Sequence, residues 1–302
     1  MPPSSKPSRR LPDYLLLGAK GFAMGSVDLI PGVSGGTIAF ITGIYEELID
    51  SLRTLSQPAF LKALMRLHLR EALAQLNWPF LLTLALGLVT ALFTLAHGIA
   101  WLLAHHPVLV WSFFFGLIVA SVITVSRKVG RWRPGLWGAL LVGLVGAYLL
   151  VGLLPTVTPD TLPFVFFSGF IAICAMILPG ISGAFLLVLL GKYEFMLVAL
   201  NQRDWLVIGV FALGALLGIA SFARLLGWLL RRYHDVMIAV LTGFMLGSLR
   251  RIWPFKNAES DNVIPALFTP AGLDLNVIYA ALLALSGVAL VLLLERISRR
   301  LH

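Results

Sequence analysis

The stretch Asp28-Leu29-Ile30-Pro31-Gly32-Val33-Ser34-Gly35-Gly36-Thr37, followed by Gly43, Tyr45 and Glu46, decides how this chain is read. It returns as Leu178-Pro179-Gly180-Ile181-Ser182-Gly183-Ala184 with Gly191, Tyr193 and Glu194. The two copies stand at a constant offset of 148 residues. After a longer first linker the offset becomes 127, and Trp78, Gly87, Trp101, Gly116 and Ser121 fall on Trp205, Gly214, Trp228, Gly243 and Ser248. Shared Leu and Gly content accounts for matching glycines but not for paired tryptophans, so the chain reads as an internal duplication.

Both copies sit between long apolar runs. Hydrophobic residues make up 59% of the 302, charged ones only 12%, and the mean hydropathy is +0.93; this is the composition of a polytopic membrane protein. The first apolar run already holds Lys20 and Asp28 with no small-residue cleavage site after the basic start, so it reads as mature sequence. The lone Cys174 allows no internal disulfide and reads as a small buried hydrophobe. The net charge of +9 is carried by short linkers, at Arg9 and Arg10, Arg53 to Arg70, Arg127 to Arg133, Arg231 and Arg232, and the tail from Arg296. That distribution fits cytoplasmic flanks on anionic lipid and excludes a nucleic-acid partner.

Apolar segments run over 14–30, 33–50, 79–101, 108–126, 135–154, 161–178, 181–199, 205–229, 235–249 and 275–295. The Pro-Gly pairs fall where short segments meet, and backbone freed at that depth must be satisfied by protein or water. A helix that enters, breaks at Pro-Gly and returns as a second helix meets the requirement. The predicted fold is an all-α polytopic membrane protein with two inverted-topology repeats, each carrying a re-entrant or near-spanning helical hairpin. Its single transporter domain, 1–302, divides into a first repeat at 14–126, a connecting span at 127–160, a second repeat at 161–250 and a final span at 275–295. Within the first repeat, 58–76 is expected to be one amphipathic interfacial helix, from Phe60, Leu61, Leu64, Leu67 and Leu73 beside Lys62, Arg66 and Arg70. The Lys and Arg bias puts both termini in the cytoplasm, and the tryptophans read as interfacial anchors.

Each break opens a helix at Ser34-Gly35-Gly36-Thr37 or Ser182-Gly183-Ala184. Free N–H groups and the dipole of such a helix favour an anion, and glycine lets it approach the backbone; N-capping and close packing are the competing explanations for the same residues. Two starts entering from opposite faces would meet inside the bilayer, as in repeat-built transporters. Asp28 is an intramembrane carboxylate, a candidate for proton or cation coupling or a fixed acceptor for the break's N–H groups. Glu46 and Glu194 stand at hairpin mouths as gates or solvated ends. Arg224 lies in an apolar run and either snorkels or pairs with phosphate. Arg250 and Arg251 carry positive charge on the side where it is scarce, suited to an anionic headgroup.

These motifs, together with Gly247-Ser248-Leu249-Arg250-Arg251-Ile252-Trp253-Pro254, resemble the bacterial polyprenyl-phosphate transporter family over residues 14 to 296. The resemblance implies a multi-pass protein of the bacterial cytoplasmic membrane that returns undecaprenyl phosphate from the outer to the inner leaflet. It also implies that Ser34, Gly35, Gly36, Thr37, Ser182 and Gly183 are the phosphate-binding tips, with Ala184 a departure that makes them unequal. The expected partners are undecaprenyl phosphate, membrane phospholipid and a coupling proton or sodium ion; no cofactor or metal is expected. Neither break carries the Gly-Lys-Ser/Thr of a nucleotide loop, so movement is passive or ion-coupled. The alternatives are an anion channel or carrier built on the same helix starts, and an intramembrane hydrolase with Ser34 of Gly32-Val33-Ser34-Gly35-Gly36 as nucleophile and His97, His105 or His106 as base. The strand-turn-helix that a hydrolase requires is missing from the pattern, and the chain is expected not to be an enzyme.

Overall fold

The computed structural model describes residues 9–30, 32–255 and 275–300, with side chains of the last helix described from 277 to 296. Pro31, Lys6 and Lys256 lie outside the described residues. Those described form helices only: α1 (Leu11–Asp28), α2 (Gly35–Ile41), α3 (Tyr45–Thr54), α4 (Pro58–Met65), α5 (Leu69–Gln75), α6 (Trp78–His105), α7 (Pro107–Ser126), α8 (Pro134–Val151), α9 (Leu162–Ile177), α10 (Gly183–Leu189), α11 (Tyr193–Gln202), α12 (Trp205–Arg232), α13 (His234–Ile252) and α14 (Leu275–Arg300). Pro79, Pro107, Pro134 and Pro163 stand in first turns, where a missing N–H leaves no bond unmade. Five helices are long and apolar enough to cross a membrane, or six if the bent pair α10 and α11 counts as one span. The protein is therefore an all-α, multi-spanning membrane protein.

Four helix pairs dominate the packing: α1 with α6, α9 with α12, α7 with α14 and α8 with α13. Each seam closes on glycines from both partners. Added Cβ atoms on Gly21 and Gly87 would strike Leu84 O and Gly18 O; on Gly169 and Gly214, Phe211 O and Phe166 O; on Gly116 and Gly287, Ala284 O and Phe113 O; and on Gly143 and Gly243, Val240 O and Leu140 O. Hydrocarbon gives helices no hydrophobic reason to associate, so backbone approach through small residues supplies the attraction. The contacts advance together along both members: Gly21 meets Leu84 and Gly25 meets Leu88, Gly214 meets Phe166 and Gly218 meets Phe170, Gly243 meets Leu140 and Gly247 meets Leu144. These pairs are parallel. Since α1 and α6 run the same way, residues 29–77 carry the chain back to the end at which α1 starts, and the parallel α9 and α12 require the same of 178–204.

The returning arms differ from the expected continuous helices over 33–50 and 181–199. Each breaks again, at Gly43 with φ +76° and at Gly191 with φ +64°, and α10 and α11 meet at 101°. Gly32 and Gly180, within the Pro-Gly pairs, have φ of +93° and +90°. All four occupy backbone geometry that a Cβ opposes. The amphipathic linker is likewise two helices, α4 and α5, interrupted at Leu67 with φ +56°. Its outer leucines are exposed while Ala63 and Ala72 are buried, so the apolar face that suggested one helix is shared by two.

One end of the molecule gathers most of the ion pairs among the described residues. Arg9 forks onto Glu47 at 2.8 and 2.5 Å, Asp50 meets Arg231 at 2.7 Å, and Glu46 meets His234 at 3.4 Å. The hydrogen bond to Glu47 holds the Arg9 guanidinium above its ordinary value, against the opposing effect of burial. At the other end Lys192, 1% exposed, donates to Thr158 O at 2.7 Å and pairs with the 63% exposed Asp160 at 2.5 Å.

Candidate functional site

The two breaks meet. Ser34 Oγ donates to Met176 O at 3.2 Å, Gly180 N donates to Thr37 Oγ1 at 3.2 Å, and Tyr45 OH donates to Ile177 O at 3.2 Å. The start of α2 thus interlocks with the end of α9 and the turn before α10. Depths differ: Gly32 faces Arg251 and Ile252 in the last turn of α13, whereas Gly180 faces Phe244 and Met245. Seven residues of helix separate these levels by about 10 Å. The first hairpin reaches the far end of α13, and the second stops near its middle.

The tips also differ in their donors. At the first, Gly35 N donates to Asp28 Oδ1 at 2.7 Å, Gly36 N to Ser34 Oγ at 3.1 Å, and Thr37 N to Ser34 O at 2.9 Å. Its opening N–H groups are all taken. Asp28 occupies the place expected for a bound anion, the role foreseen for it as a fixed acceptor. At the second tip Ser182 forms no side-chain cap, and among the described residues the N–H groups of Gly183 and Ala184 meet no acceptor. The glycine faces are packed by protein: an added Cβ on Gly35 would meet Asp28, on Gly36 Ile177 O, and on Gly183 Ala172 O. With only seven residues in α2 and in α10, each dipole is short, and a side-chain cation becomes the stronger attraction for an anion.

That cation is at hand. The Arg251 side chain lies against Gly32 of the first hairpin, and its Cζ stands 5.0 Å from the ring centre of Phe185 in α10. Arg251 therefore spans both hairpins. Arg250 turns away, donating to Tyr148 O at 3.1 Å with its Cζ 4.3 Å over the Tyr148 ring, beside Gly152. Arg224 is in neither place; it lines a groove of about 560 Å³ with Ser56, Ser221 and Trp228. Glu46 is with the ion pairs of the basic end, and Glu194 is exposed.

Several polar residues at the hairpins escaped the sequence reading. Lys20 Nζ donates to Thr42 O and Lys128 Nζ to Phe40 O, both at 2.8 Å, so two cations hold the carbonyl end of α2. At the equivalent end of α10, Thr156 N and Thr158 Oγ1 donate to Leu189 O and Leu190 O at 2.8 and 2.6 Å. The charge of Lys20 within an apolar run was the available signal; nothing in the sequence marked Thr156 and Thr158. Thr124 and Glu295 form a buried contact of 3.0 Å between α7 and α14. Trp253, expected as an interfacial anchor, instead packs edge-on to Phe115 at 5.2 Å, with its Nε1 buried and no acceptor among the described residues.

Comparison with known proteins supplies the identity that geometry alone withholds. Residues 24–265 match the family described as undecaprenyl phosphate translocase-like. A polyprenyl-phosphate transporter of Vibrio cholerae serotype O1 is 46% identical over 250 residues, covering 82% of this chain and 80% of the relative. A polyprenyl-phosphate transporter of Staphylococcus aureus is 28% identical over 257 residues, covering 78% and 84%. No solved structure matches. The chain belongs to the polyprenyl-phosphate transporter family, and it is a membrane transport protein of that family and not an enzyme.

Proposed function

From this membership we propose that the protein returns undecaprenyl phosphate from the outer to the cytoplasmic leaflet of the bacterial inner membrane, with the phosphate held between Arg251 and the second tip. The observation that carries the reading is the Arg251 side chain lying against Gly32 and over the Phe185 ring, Phe185 belonging to the first turn of the helix whose opening N–H groups, at Gly183 and Ala184, meet no acceptor among the described residues. A phosphate monoester needs a cation and several donors, and guanidinium offers it a bidentate fork. The tail needs only lipid or an apolar recess. A largely apolar cavity of about 310 Å³, lined by Ile30, Leu102, Val110, Phe113 and Leu283 with His106 in its wall, adjoins the first tip where α6 turns into α7. It suits the first isoprene units.

The helix directions support inverted halves. With α1 and α6 rising, α7 descends and α8 rises; α13, parallel to α8, also rises, so α12 and its parallel partner α9 descend. This supports a first hairpin entering from the amino-terminal end and a second from the opposite end. It also supports α8 and α14 as equivalent elements, since each pairs with a helix of the other half. The excess of Lys and Arg at the ion-paired end supports a cytoplasmic position for that end and both termini. Cysteines substituted for the exposed Arg131 and Asp160 should then be labelled from opposite sides.

The resting contact of Asp28 with Gly35 N supports a coupling role: proton or cation binding at this carboxylate frees a donor at the first tip. The reading is tested by titrating the purified protein with undecaprenyl phosphate and with undecaprenol. Saturable binding of the phosphate alone is expected, and equal binding of the alcohol would defeat a headgroup site.

A further inference from the structure

The groove at Arg224 belongs to neither hairpin tip, and it has the features of a separate lipid site. Leu217, Ser221, Arg224, Leu225 and Trp228 form one stripe of α12, and Ser56, just beyond α3, supplies the opposite wall. Arg224 lies eight residues before Arg232, about 12 Å along the axis from the basic end, where a guanidinium in lipid seeks an acceptor. Among the described residues it has none. The charge pairing at the seam of α3 and α12 is closed on itself, because Asp50 is held by Arg231 at 2.7 Å and Arg53 at 3.5 Å. The groove hydroxyls are committed as donors too: Ser221 Oγ to Leu217 O at 2.6 Å and Ser56 Oγ to Arg53 O at 2.8 Å. The guanidinium, with the indole N–H of Trp228 in the same wall, is left as the source of hydrogen bonds.

We propose that this groove seats an acidic phospholipid of the leaflet bordering the basic end, its phosphodiester on Arg224 beside Trp228 and an acyl chain along Leu217 and Leu225. Charge complementarity selects an anion, and the apolar stripe selects one that carries a chain. One cation with a single indole N–H beside it gives moderate affinity, which serves a ligand that the bilayer supplies in abundance and would hold a scarce one poorly. The bound lipid would brace α12 against the end of α3, the returning arm of the first hairpin, at a seam already crossed by Asp50 and Arg231. This inference stands apart from which lipid the protein transports.

The test is native mass spectrometry of the full chain released from mixed micelles of phosphatidylglycerol and phosphatidylcholine. The parent should retain phosphatidylglycerol preferentially, Arg224→Gln should lose roughly tenfold of that preference, and Arg224→Lys should keep part of it. Leu217→Trp, which fills the groove but keeps the charge, should also lose the lipid and decides the matter if the glutamine variant fails to fold. Equal preference in the parent and Arg224→Gln, or undiminished retention by Leu217→Trp, would overturn the proposal. Displacement of phosphatidylglycerol from the parent by farnesyl phosphate, but not from Arg224→Gln, would overturn it in favour of a station for the transported lipid.

Discussion

Replacing Arg251 by glutamine separates a headgroup-binding cation from a structural one. Arg251 reaches both hairpins, with its Cζ 5.0 Å from the Phe185 ring centre, whereas Arg250 is spent on the Tyr148 carbonyl and ring. Truncating one member of a desolvated charge pair costs about 2–5 kcal/mol, which predicts roughly 30- to 4000-fold weaker binding of undecaprenyl phosphate by Arg251→Gln. Arg251→Lys should fall between, since an ammonium keeps the charge but not the planar fork. The contact with Phe185 is itself worth about 0.5–2 kcal/mol of stability. Arg250→Gln should show the reverse pattern, with about 1–3 kcal/mol less stability from the lost carbonyl bond and ring stacking, and binding changed by less than about threefold. The assay is a titration of each detergent-purified variant, paired with its thermal unfolding. Parent-like binding by Arg251→Gln, or a larger binding loss in Arg250→Gln, would refute the assignment.

The hairpin contacts give further expectations. Thr37→Val leaves the buried Gly180 N–H without its acceptor and should lower stability by about 1–3 kcal/mol, more than Tyr45→Phe, which removes one donor and should lower it by about 1 kcal/mol; chemical unfolding ranks them. Asp160→Asn should destabilise more than Lys192→Met, because it leaves a buried ammonium with the Thr158 carbonyl while the methionine leaves only a solvated carboxylate; equal losses would mean the pair acts by its attraction alone. Gly243→Leu should disrupt the seam of α8 and α13, where even a Cβ collides with Leu140 O, and should be seen as lost folded yield. Asp28→Asn should make transport insensitive to an imposed proton or cation gradient, and an unchanged response would remove Asp28 from coupling.

What the sequence made legible was mostly what duplication wrote twice. The two Pro-Gly breaks and their following glycines are where the chain turns, and Gly87 with Gly214 and Gly116 with Gly243, matched as repeats, are glycines of packed seams. The pairing of those seams was not legible, because a glycine marks a close approach without naming its partner. Gly43 and Gly191 were seen as repeated residues, yet the apolar runs on either side look alike whether the helix bends or continues. Arg250 and Arg251 could not be ranked for a simpler reason. Neighbours on a helix point about 100° apart, so one faces Tyr148 and the other the hairpins, and only the packed register tells which. Asp28 was legible as a buried carboxylate with two roles open to it, and the bond from Gly35 N supports the fixed acceptor.

Transport itself gives the most direct test. Undecaprenyl phosphate placed in the outer leaflet of proteoliposomes would be followed to the inner leaflet by its protection from an added phosphatase, with the parent, Arg251→Gln and empty liposomes compared. The account predicts rapid protection with the parent, and rates near those of empty liposomes with Arg251→Gln although that variant remains folded. Parent-like protection by Arg251→Gln would contradict a phosphate carried between Arg251 and the second tip, and parent rates no faster than empty liposomes would contradict the transport of this lipid.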